Sequence, residues 1–373
     1  MSLFVPSRFR NQPCTMRNIL ELIYPELEHA VLAMGHQAFR ARQLWQWLWR
    51  RGVREYGPMT NLAREFREDL AQEWAIAWPE VTEVRTSSDG TIKFLLRMVD
   101  GATVETVLIP DKSRYTQCLS CQVGCPMGCS FCSTGQMGYV RNMTGGEIAA
   151  QVLVAREHLR GHGLAVEVKN LVYMGMGEPL LNWDEVRKSL HILSHPEGLE
   201  FSRRRITLST CAIKGKLDVF GREGLALPAI SLHAPTQDIR KRLMPGAAKW
   251  PIEELIKALQ EFELRPRERV TIEYILIRGV NDGIEHARQL VRLLSHLKCK
   301  INLIAYNAGP GIAYEAPDPA AVMAFEEFLR KKGFTVTLRK SKGQDIAAAC
   351  GQLKTEVERT QGERKNEQGF ING

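Results

Sequence analysis

Residues 124–134 read G-C-P-M-G-C-S-F-C-S-T and contain three cysteines, Cys125, Cys129 and Cys132, with the spacing C-x3-C-x2-C. Three thiolates this close in sequence can hold one inorganic cluster. A [4Fe-4S] cube usually takes four cysteine ligands, so three ligands leave one iron with an open position. The stretch therefore predicts a cluster whose free iron can bind a substrate.

The aromatic residue inside the last gap, Phe131, is typical of the radical S-adenosylmethionine (SAM) superfamily. In that superfamily the amino and carboxylate groups of SAM chelate the open iron, and an electron from the cluster cleaves SAM to a 5'-deoxyadenosyl radical. The alternatives are a zinc knuckle and an ordinary ferredoxin site. Zinc sites normally have two C-x2-C pairs separated by a long loop, and two-cluster ferredoxins have the run C-x2-C-x2-C-x3-C-P. Neither pattern fits this spacing.

The composition is that of an ordinary globular protein of 373 residues with 44% apolar content, enough for one large domain with an accessory piece or for two domains. No apolar run approaches the length of a membrane span or a signal peptide, so we expect a cytoplasmic protein with no membrane partner. Nine cysteines in such a chain indicate reduced thiols and metal chemistry rather than a disulfide framework. The net charge of +8 permits a nucleic-acid partner without showing one.

Residues from about 15 to 75 have a helical pattern. Between residues 38 and 51 the apolar side chains Ala41, Leu44, Trp45 and Leu48 fall on one helical face, which predicts a core contact. Several arginines remain outside that face. They form either an RNA-binding surface or a solvent-exposed face, and the sequence does not decide between the two. These arginines are Arg40, Arg42, Arg50, Arg51 and Arg54.

Strand signals begin near Thr91, where residues 92–98 and 103–109 flank the turn pair Asp100-Gly101. Glu105 lies in the second run, and a carboxylate in such a strand is usually on its wet face. Strands then alternate with helices, which indicates an α/β fold with a parallel sheet and right-handed crossovers. Periodicity alone does not separate an open doubly wound sheet from a partial barrel. The predicted parallel strands are 116–119, 170–174, 205–209, 229–232, 271–276 and 300–304, with a further strand at 334–339.

These patterns predict four parts of the chain. Residues 1–90 form a small helical accessory domain, residues 91–110 a short strand extension, and residues 111–345 the core. Residues 346–373 form a C-terminal segment that carries Cys350 and ends in a charged, disordered tail from Lys354.

A glycine-rich turn, G-M-G-E-P at residues 175–179, follows an apolar strand and lets the backbone approach a ligand. Position 180 is Leu, so the third glycine of a dinucleotide fingerprint is missing and a nicotinamide or flavin site is disfavoured. In radical SAM proteins a loop of this type contacts the amino group of SAM, and a carboxylate suits an ammonium. The loop thus makes Gly177 and Glu178 candidate SAM contacts.

Polar residues follow three further strands, where ligands bind in both architectures that the pattern allows. They are candidates to hydrogen-bond the ribose, carboxylate or adenine of SAM, although each is also an ordinary capping or loop residue. A histidine in such a place is often a structural hydrogen-bonder. The candidates are Ser209, Ser231, Leu232, His233 and Asn307.

Cys350 lies among alanines, far from the cluster motif in sequence. A cysteine in that setting is usually a small buried residue, but a thiolate is also a strong nucleophile and SAM is an electrophile. Cys118 is close to the cluster motif without belonging to its spacing. It is a candidate to pair transiently with Cys350.

Several independent motifs in the right order resemble the RlmN family of radical SAM methyltransferases, which modify C2 of adenine in RNA. The resemblance runs from about Ile92 to Leu353. Besides Cys118, it rests on Q-V-G-C at 122–125, S-F-C-S-T-G at 130–135, G-M-G-E-P-L-L-N at 175–182, S-L-H-A-P at 231–235, V-N-D-G at 280–283 and A-A-C-G-Q-L at 348–353.

The resemblance implies a partial (β/α)6 barrel and two SAM molecules per turnover. Cys350 would take a methyl group from one SAM by displacement, and the radical from a second SAM would remove hydrogen from that S-methyl group. The carbon radical would add to adenine C2. A carboxylate matching Glu105 would accept the C2 proton, and a cysteine matching Cys118 would attack the thioether sulfur, leaving a Cys118–Cys350 disulfide to be reduced.

The substrates implied by the resemblance are an adenine near the peptidyl-transferase centre of 23S rRNA and the adenine beside the anticodon of some tRNAs. The electrons would come from a donor such as flavodoxin, and we expect a monomer. Cys121 and Cys211 stand where relatives commonly carry Ser. Cys121 is therefore an alternative resolving thiol.

Two rival functions stay open. The sister family that methylates adenine C8 (the Cfr type) typically has Q-C-G-C and an alanine after the third ligand, where this chain has Val123 and Ser133. A non-catalytic iron–sulfur regulator or RNA-binding module is compatible with the cluster motif alone, but it has no use for a nucleophilic Cys350.

Overall fold

A computed structural model describes residues 16–164, 166–308 and 311–355. The chain divides into two compact units, Met1–Ala77 and Trp78–Gly373. Most of the predicted disordered tail lies outside the described residues, but its first residue, Lys354, is anchored by a backbone hydrogen bond to Glu105. Among the described residues no helix is both long enough and apolar enough to cross a lipid bilayer.

The first unit consists mainly of helices packed around tryptophans. Its helices are α1 (Tyr24–Ala33), α2 (Phe39–Trp45), which continues into a π-helical turn (Gln46–Arg51), and α3 (Arg64–Glu73), and its two short strands, β1 (Arg17–Asn18) and β2 (Trp74–Ala75), pair in parallel. The apolar face predicted in residues 38–51 is confirmed, because all four of its residues are buried. Trp45 and Trp49 extend this core, with ring centroids 5.9 Å apart.

The second unit contains a ten-stranded sheet and a separate two-stranded hairpin. The hairpin is formed by β7 (Gln122–Gly124) and β8 (Tyr139–Asn142). The sheet strands are β3 (Glu80–Thr86), β4 (Ile92–Arg97), β5 (Thr103–Asp111), β6 (Arg114–Cys118), β9 (Glu167–Tyr173), β10 (Ile206–Thr210), β11 (Leu227–Ser231), β12 (Val270–Leu276), β13 (Cys299–Ala305) and β14 (Val336–Arg339).

Strand order explains how the barrel is built. The sheet runs β14-β13-β12-β11-β10-β9-β6-β5-β4-β3, with every pair from β6 to β14 parallel and every pair from β3 to β6 antiparallel. The two end strands do not pair with each other, so the barrel is open. The predicted α/β fold with a partial (β/α)6 barrel is confirmed, with β3–β5 as the strand extension on one side of it.

Helices between the parallel strands make the crossovers that a parallel sheet requires. The first long one begins with a capping box, in which the Thr144 hydroxyl accepts from the Glu147 N–H and the Glu147 carboxylate accepts from the Thr144 N–H. The helices of this unit are α4 (Ser133–Gln136), α5 (Gly145–Gly161), α6 (Trp183–Ser194), α7 (Leu217–Glu223), α8 (Gln237–Leu243), α9 (Ile252–Gln260), α10 (Ile284–Leu294) and α11 (Pro319–Lys331).

Strand β3 is a difference from the sequence prediction, which extended the helical domain to residue 90. This edge strand belongs to the sheet of the second unit and is exposed along nearly its whole length, including Val81 and Val84. A strand with water on both faces has no buried alternation, so its hydrophobic pattern does not reveal it. The two units accordingly divide between Ala77 and Trp78.

Candidate active site

The three motif cysteines lie on one loop that the β7–β8 hairpin closes. Cys125 follows β7 directly and its N–H donates to the carbonyl of Gly138 at 2.7 Å, while Cys132 directly precedes α4. A Cβ at Gly135 would meet the Cys129 backbone nitrogen at 2.9 Å, so only glycine lets the chain turn back this closely. The loop is thus held compactly enough to bring its three thiols together.

Those three thiols share a cavity with residues from the carboxyl ends of the barrel strands. The cavity holds about 880 Å³ of empty volume, including its open mouth. Predicted residues in its lining, besides the three cysteines, are Phe131, Gly177, Glu178, Ser209, Ser231, His233 and Cys350. The structure therefore brings together most of the candidate cofactor contacts around the cysteine loop, as expected for the carboxyl edge of a parallel sheet.

Burial controls the charge of the free thiols. Together with the charges of neighbouring cysteines, it raises the pKa of Cys125 to about 12 and the pKa of Cys132 to about 11, although backbone hydrogen bonds oppose the shift. Iron binds the thiolate form, so binding of a cluster would release these protons. Three adjacent thiols, which become anionic thiolates when they bind metal, fit a cationic iron–sulfide core. The cavity that they line also contains polar side chains.

The spacing of the three cysteines disfavours a single zinc ion, because zinc sites normally have two C-x2-C pairs separated by a long loop. In a [4Fe-4S] cube each cysteine binds a different iron, so three ligands leave the fourth iron open.

Glu178 is fixed at the wall of this cavity. Its carboxylate accepts hydrogen bonds from the Cys211 N–H at 2.7 Å, the Leu180 N–H at 3.0 Å and the Thr210 hydroxyl at 2.5 Å. Burial raises its pKa, although these hydrogen bonds oppose the shift. A carboxylate offers about four lone-pair sites, so Glu178 retains the capacity to accept from an ammonium group.

His233 is a neutral donor in the same wall. Burial lowers its pKa to about 3, and the charge of Arg240 adds to this effect. Its Nδ1 accepts from the Ile275 N–H at 3.1 Å, so the proton of the neutral ring resides on Nε2. The ring packs edge-on against Phe131 with centroids 5.1 Å apart. His233 is thus held both as a structural hydrogen-bonder and as a residue that lines the cavity.

Ser209 and Ser231 lie side by side at the ends of β10 and β11, with their hydroxyl oxygens 3.3 Å apart.

Two other candidate SAM contacts do not line the larger cavity. Leu232 is fully buried, and its N–H donates to the carbonyl of Glu273 at 3.1 Å. Asn307 lines a second, smaller cavity, where its Oδ1 accepts from the Gln344 side chain.

That second cavity brings the two candidate thiols of the methyl-transfer chemistry together. Cys118 at the end of β6 and Cys350 in the C-terminal segment both line it, although they are 232 positions apart, and both are free thiols. Cys350 also lines the larger cavity beside the cluster motif. Cys350 is therefore positioned to take part in chemistry in either cavity.

The sequence analysis missed Arg339, which lines both cavities. The negative charge of a Cys350 thiolate raises the pKa of this guanidinium, and Arg339 in turn opposes the burial that raises the pKa of Cys118 to about 12. A guanidinium in this position favours the thiolate form of Cys118. Its sequence signal was its place at the end of the last parallel strand, the same signal that identified Ser209.

Contrary to the sequence expectation, Glu105 does not lie on a solvent-exposed face of its strand. It is buried, its Oε1 lies 2.8 Å from Lys93 Nζ, and its Oε2 accepts from the Lys354 N–H at 2.9 Å. Burial raises its pKa, while Lys93 opposes the shift. Lys93 Nζ also donates to the Ala347 carbonyl at 3.2 Å. Glu105 lines neither cavity, and this ion pair contacts the C-terminal segment on both sides of Cys350.

A parallel barrel that presents a three-cysteine loop and a G-E-P turn at one edge defines a member of the radical SAM superfamily. The family model of that superfamily matches residues 119–294, and a second model, the ribosomal RNA large subunit methyltransferase N-terminal domain, matches residues 17–76. Radical SAM enzymes use a [4Fe-4S] cluster and SAM.

Individual proteins resemble this chain over nearly its whole length. The dual-specificity RNA methyltransferase RlmN of Nitratidesulfovibrio vulgaris (strain DP4) is 58% identical over 349 residues, which cover 91% of this chain and 95% of the relative. The RlmN of Geobacter sulfurreducens is 44% identical over 92% of this chain and 94% of its own. The crystal structure of a radical SAM methyltransferase from Sphaerobacter thermophilus superposes with a TM-score of 0.86 at 42% identity, covering 91% of this chain and all of that one. The chain belongs to the RlmN family of dual-specificity RNA methyltransferases, and it is therefore a SAM-dependent enzyme.

Proposed function

We propose that this enzyme methylates C2 of adenine 2503 in 23S rRNA and of adenine 37 in some tRNAs, and that Cys350 carries the methyl group. The observation that carries the proposal is the position of Cys350, which lines both the cavity of the cluster motif and the cavity of Cys118. A regulator without catalysis has no use for a nucleophile in that position.

The larger cavity is the proposed SAM site. Cys125, Cys129 and Cys132 would hold the cluster, and Glu178 would bind the amino group of SAM. Ser209, Ser231 and the Nε2–H of His233 supply hydrogen-bonding groups for the rest of the cosubstrate. When bound, the cluster would supply the electron that cleaves SAM and so produces the radical. Two SAM molecules are consumed per turnover, one for the methyl group and one for the radical.

Cys350 and Cys118 act in sequence. The Cys350 thiolate attacks the methyl carbon of the first SAM, which forms the S–CH3 bond and releases S-adenosylhomocysteine. The radical derived from the second SAM removes one hydrogen atom from this methyl group, and the carbon radical adds to adenine C2. The adduct then gives up the C2 proton to Glu105 and one electron, which the cluster, when bound, would accept. Cys118 then attacks the Cys350 sulfur, so an S–S bond forms and the C–S bond to the RNA breaks. The electron pair of that bond passes to the carbon, which takes up a proton to complete the new methyl group. An external thiol reductant returns both cysteines to free thiols.

Glu105 is the proposed acceptor of the C2 proton. Its contact with Lys93 keeps a positive charge beside the carboxylate, which favours the ionised form that a base needs. Because Glu105 is bonded to Lys354, its exposure to RNA requires the C-terminal segment to shift. RNA would enter at the smaller cavity, where Asn307 lies beside both thiols.

We also infer the setting of the reaction. An enzyme of ribosomal and transfer RNA works in the cytoplasm, where a flavodoxin-like protein can deliver the electrons. We expect it to act as a monomer, because the proposed site is complete within one chain.

The test is an anaerobic assay with 23S rRNA and tRNA, SAM and a reductant, followed by mass spectrometry of the nucleosides. We expect 2-methyladenosine in both RNAs. If 8-methyladenosine is the main product, the enzyme methylates adenine C8, as the sister family does. Cys350→Ala should abolish the product. Cys299→Ala is the control, because Cys299 is also a free cysteine but lies at the opposite end of β13 from the site.

A further inference from the structure

A fully buried arginine lies behind the cysteine loop. Arg240 belongs to α8, and none of its side chain is exposed. Its Nη1 donates to the Trp250 carbonyl at 2.9 Å and its Nη2 donates to the Cys211 carbonyl at 3.1 Å. Its Nε, also buried, has no hydrogen-bond partner. In the part of the chain that the structure describes, Arg240 forms no ion pair with an Asp or Glu.

An isolated buried guanidinium is expensive, because removing an ion from water costs several kcal/mol even after relaxation. Two carbonyl dipoles offset part of that cost but supply no net charge. Glu178, the buried carboxylate of the larger cavity, is bonded to Thr210, Leu180 and the Cys211 N–H instead. The described residues therefore leave the charge of Arg240 without a counter-ion.

The groups that do interact with Arg240 are thiols. Negative charge on Cys211 and Cys129 opposes the lowering of the Arg240 pKa by burial. Cys211 in turn packs against the group of buried side chains that contains Cys125 and Cys129. Arg240 is thus linked through Cys211 to the surroundings of two predicted cluster ligands.

We propose that Arg240 is the buried counter-charge of the cluster held by Cys125, Cys129 and Cys132, and that it raises the reduction potential of that cluster. The inference rests on the three-cysteine cluster of the proposed function but not on its RNA product. Arg240 does not touch the reacting atoms. It acts through Cys129 and is a tuning residue.

The physical reason is electrostatic. A cube with three thiolate ligands carries net negative charge, and uptake of one electron increases that charge. A fixed positive charge in a poorly solvated region stabilises the reduced form more than the oxidised form. The electron comes from an external low-potential donor, and Arg240 stays protonated throughout. The same interaction explains how the protein tolerates an arginine that has no acidic partner among the described residues.

The test measures the midpoint potential of the reconstituted full-length protein by redox titration, followed by the electron paramagnetic resonance signal of the reduced cluster. Arg240→Met should lower the potential, so that a smaller fraction of the cluster is reduced at a fixed donor potential. Arg240→Lys keeps the charge and should restore most of the potential. Arg222→Met is the control, because that arginine pairs with Asp218 on an exposed helix, and it should change nothing. An unaltered potential in a fully loaded Arg240→Met variant overturns the proposal.

A second measurement separates electrostatics from structural support. Without the cluster, replacing an uncompensated buried charge by an apolar side chain of similar size is neutral or stabilising. We therefore expect Arg240→Met to unfold no earlier than the unaltered protein when both are cluster-free, and to unfold earlier when both are loaded. If Arg240→Met destabilises the cluster-free and the loaded protein equally, Arg240 only binds the two carbonyl groups. That result contradicts the counter-charge role.

Two further outcomes remain distinguishable. If Arg240→Met takes up no iron, the iron content of Arg240→Lys decides, and a lysine variant that also stays empty contradicts the counter-charge role. If the unaltered protein itself shows no [4Fe-4S] signal, the proposed function has failed rather than this inference alone.

Discussion

At the scale of single residues, the Lys93–Glu105 ion pair links the strand extension to the segment that carries Cys350. Both side chains are nearly inaccessible, at 8% and 7% exposure. Their remaining polar groups bond to the Ala347 carbonyl and the Lys354 N–H, on either side of Cys350. A buried pair of this kind contributes little net stability as a unit, but removing one partner leaves an unpaired buried charge.

Lys93→Met should therefore destabilise the protein by about 3–5 kcal/mol at neutral pH, measured by denaturant unfolding. Lys331→Met, which breaks an exposed pair with Glu327, should produce no measurable change. A loss in Lys93→Met no greater than in this control would contradict the role of the pair.

The same variant should show a changed pH dependence. Burial already raises the pKa of Glu105, and loss of Lys93 removes what opposes that shift. The folded carboxyl then keeps a proton that the unfolded chain releases above about pH 4, so stability falls as the pH rises. We expect the deficit of Lys93→Met to be larger at about pH 8 than at about pH 5. An equal deficit at both values would show that Glu105 does not titrate as described.

The two thiols of the smaller cavity make a different prediction. Cys118→Ala removes the attacking thiol, so RNA should stay covalently joined to Cys350 after an anaerobic reaction. Denaturing gel electrophoresis with mass spectrometry of the digested adduct measures this. Cys121→Ala is the matched variant, since Cys121 is also buried but does not line the cavity of Cys350. Normal turnover by Cys118→Ala, or an adduct in Cys121→Ala alone, would transfer the resolving role to Cys121.

At the scale of elements, the turn after β9 is fixed by its close packing against the hairpin strand β7. Gly177 has a φ of +103°, and a Cβ there would lie 2.6 Å from the Gln122 Cβ and 2.8 Å from the Gln122 nitrogen. The Gln122 side chain accepts from the Glu178 N–H at 2.8 Å. The turn proposed to bind SAM and the strand that leads into the cysteine loop are thus positioned by one contact.

Gly177→Ala should separate these two elements. We expect a stability loss of about 1–3 kcal/mol and SAM binding weakened by at least about tenfold, measured by equilibrium dialysis of the loaded protein. Gly279→Ala is the control, because Gly279 has a φ of +64° but no atom within 4 Å of an added Cβ. It should cost stability without changing SAM affinity. Unchanged SAM binding in Gly177→Ala would mean that the turn does not contact the cosubstrate.

At the scale of the whole molecule, the positive net charge of +8 predicts that RNA binding depends on salt. Neutralising about four phosphates would weaken binding by roughly 50- to 150-fold between 50 and 200 mM salt, which fluorescence anisotropy with labelled tRNA measures. Methylation of Cys350 by SAM in the absence of RNA should not respond to the same salt change. A salt-independent RNA affinity would contradict an electrostatic contact with the backbone.

The sequence determined the chemistry because its signals are local. The spacing of Cys125, Cys129 and Cys132 limits the cofactors that they can hold, and the G-E-P turn and the alternation of strands and helices need only neighbouring residues to be recognised. The six predicted parallel strands all exist within a few residues of their expected ends. Strand β3 was missed, because an exposed edge strand leaves no hydrophobic period.

Only the tertiary structure decided which distant residues meet. Cys118 and Cys350 line one cavity because β6 and the C-terminal segment come together at the open side of the barrel. Arg339, Lys93 and Arg240 showed no local signal strong enough to be selected, since their roles depend on burial and on charges far away in the chain. Periodicity tells which face of a strand is buried, but the depth of that burial and the partner across the sheet follow from how the whole chain packs.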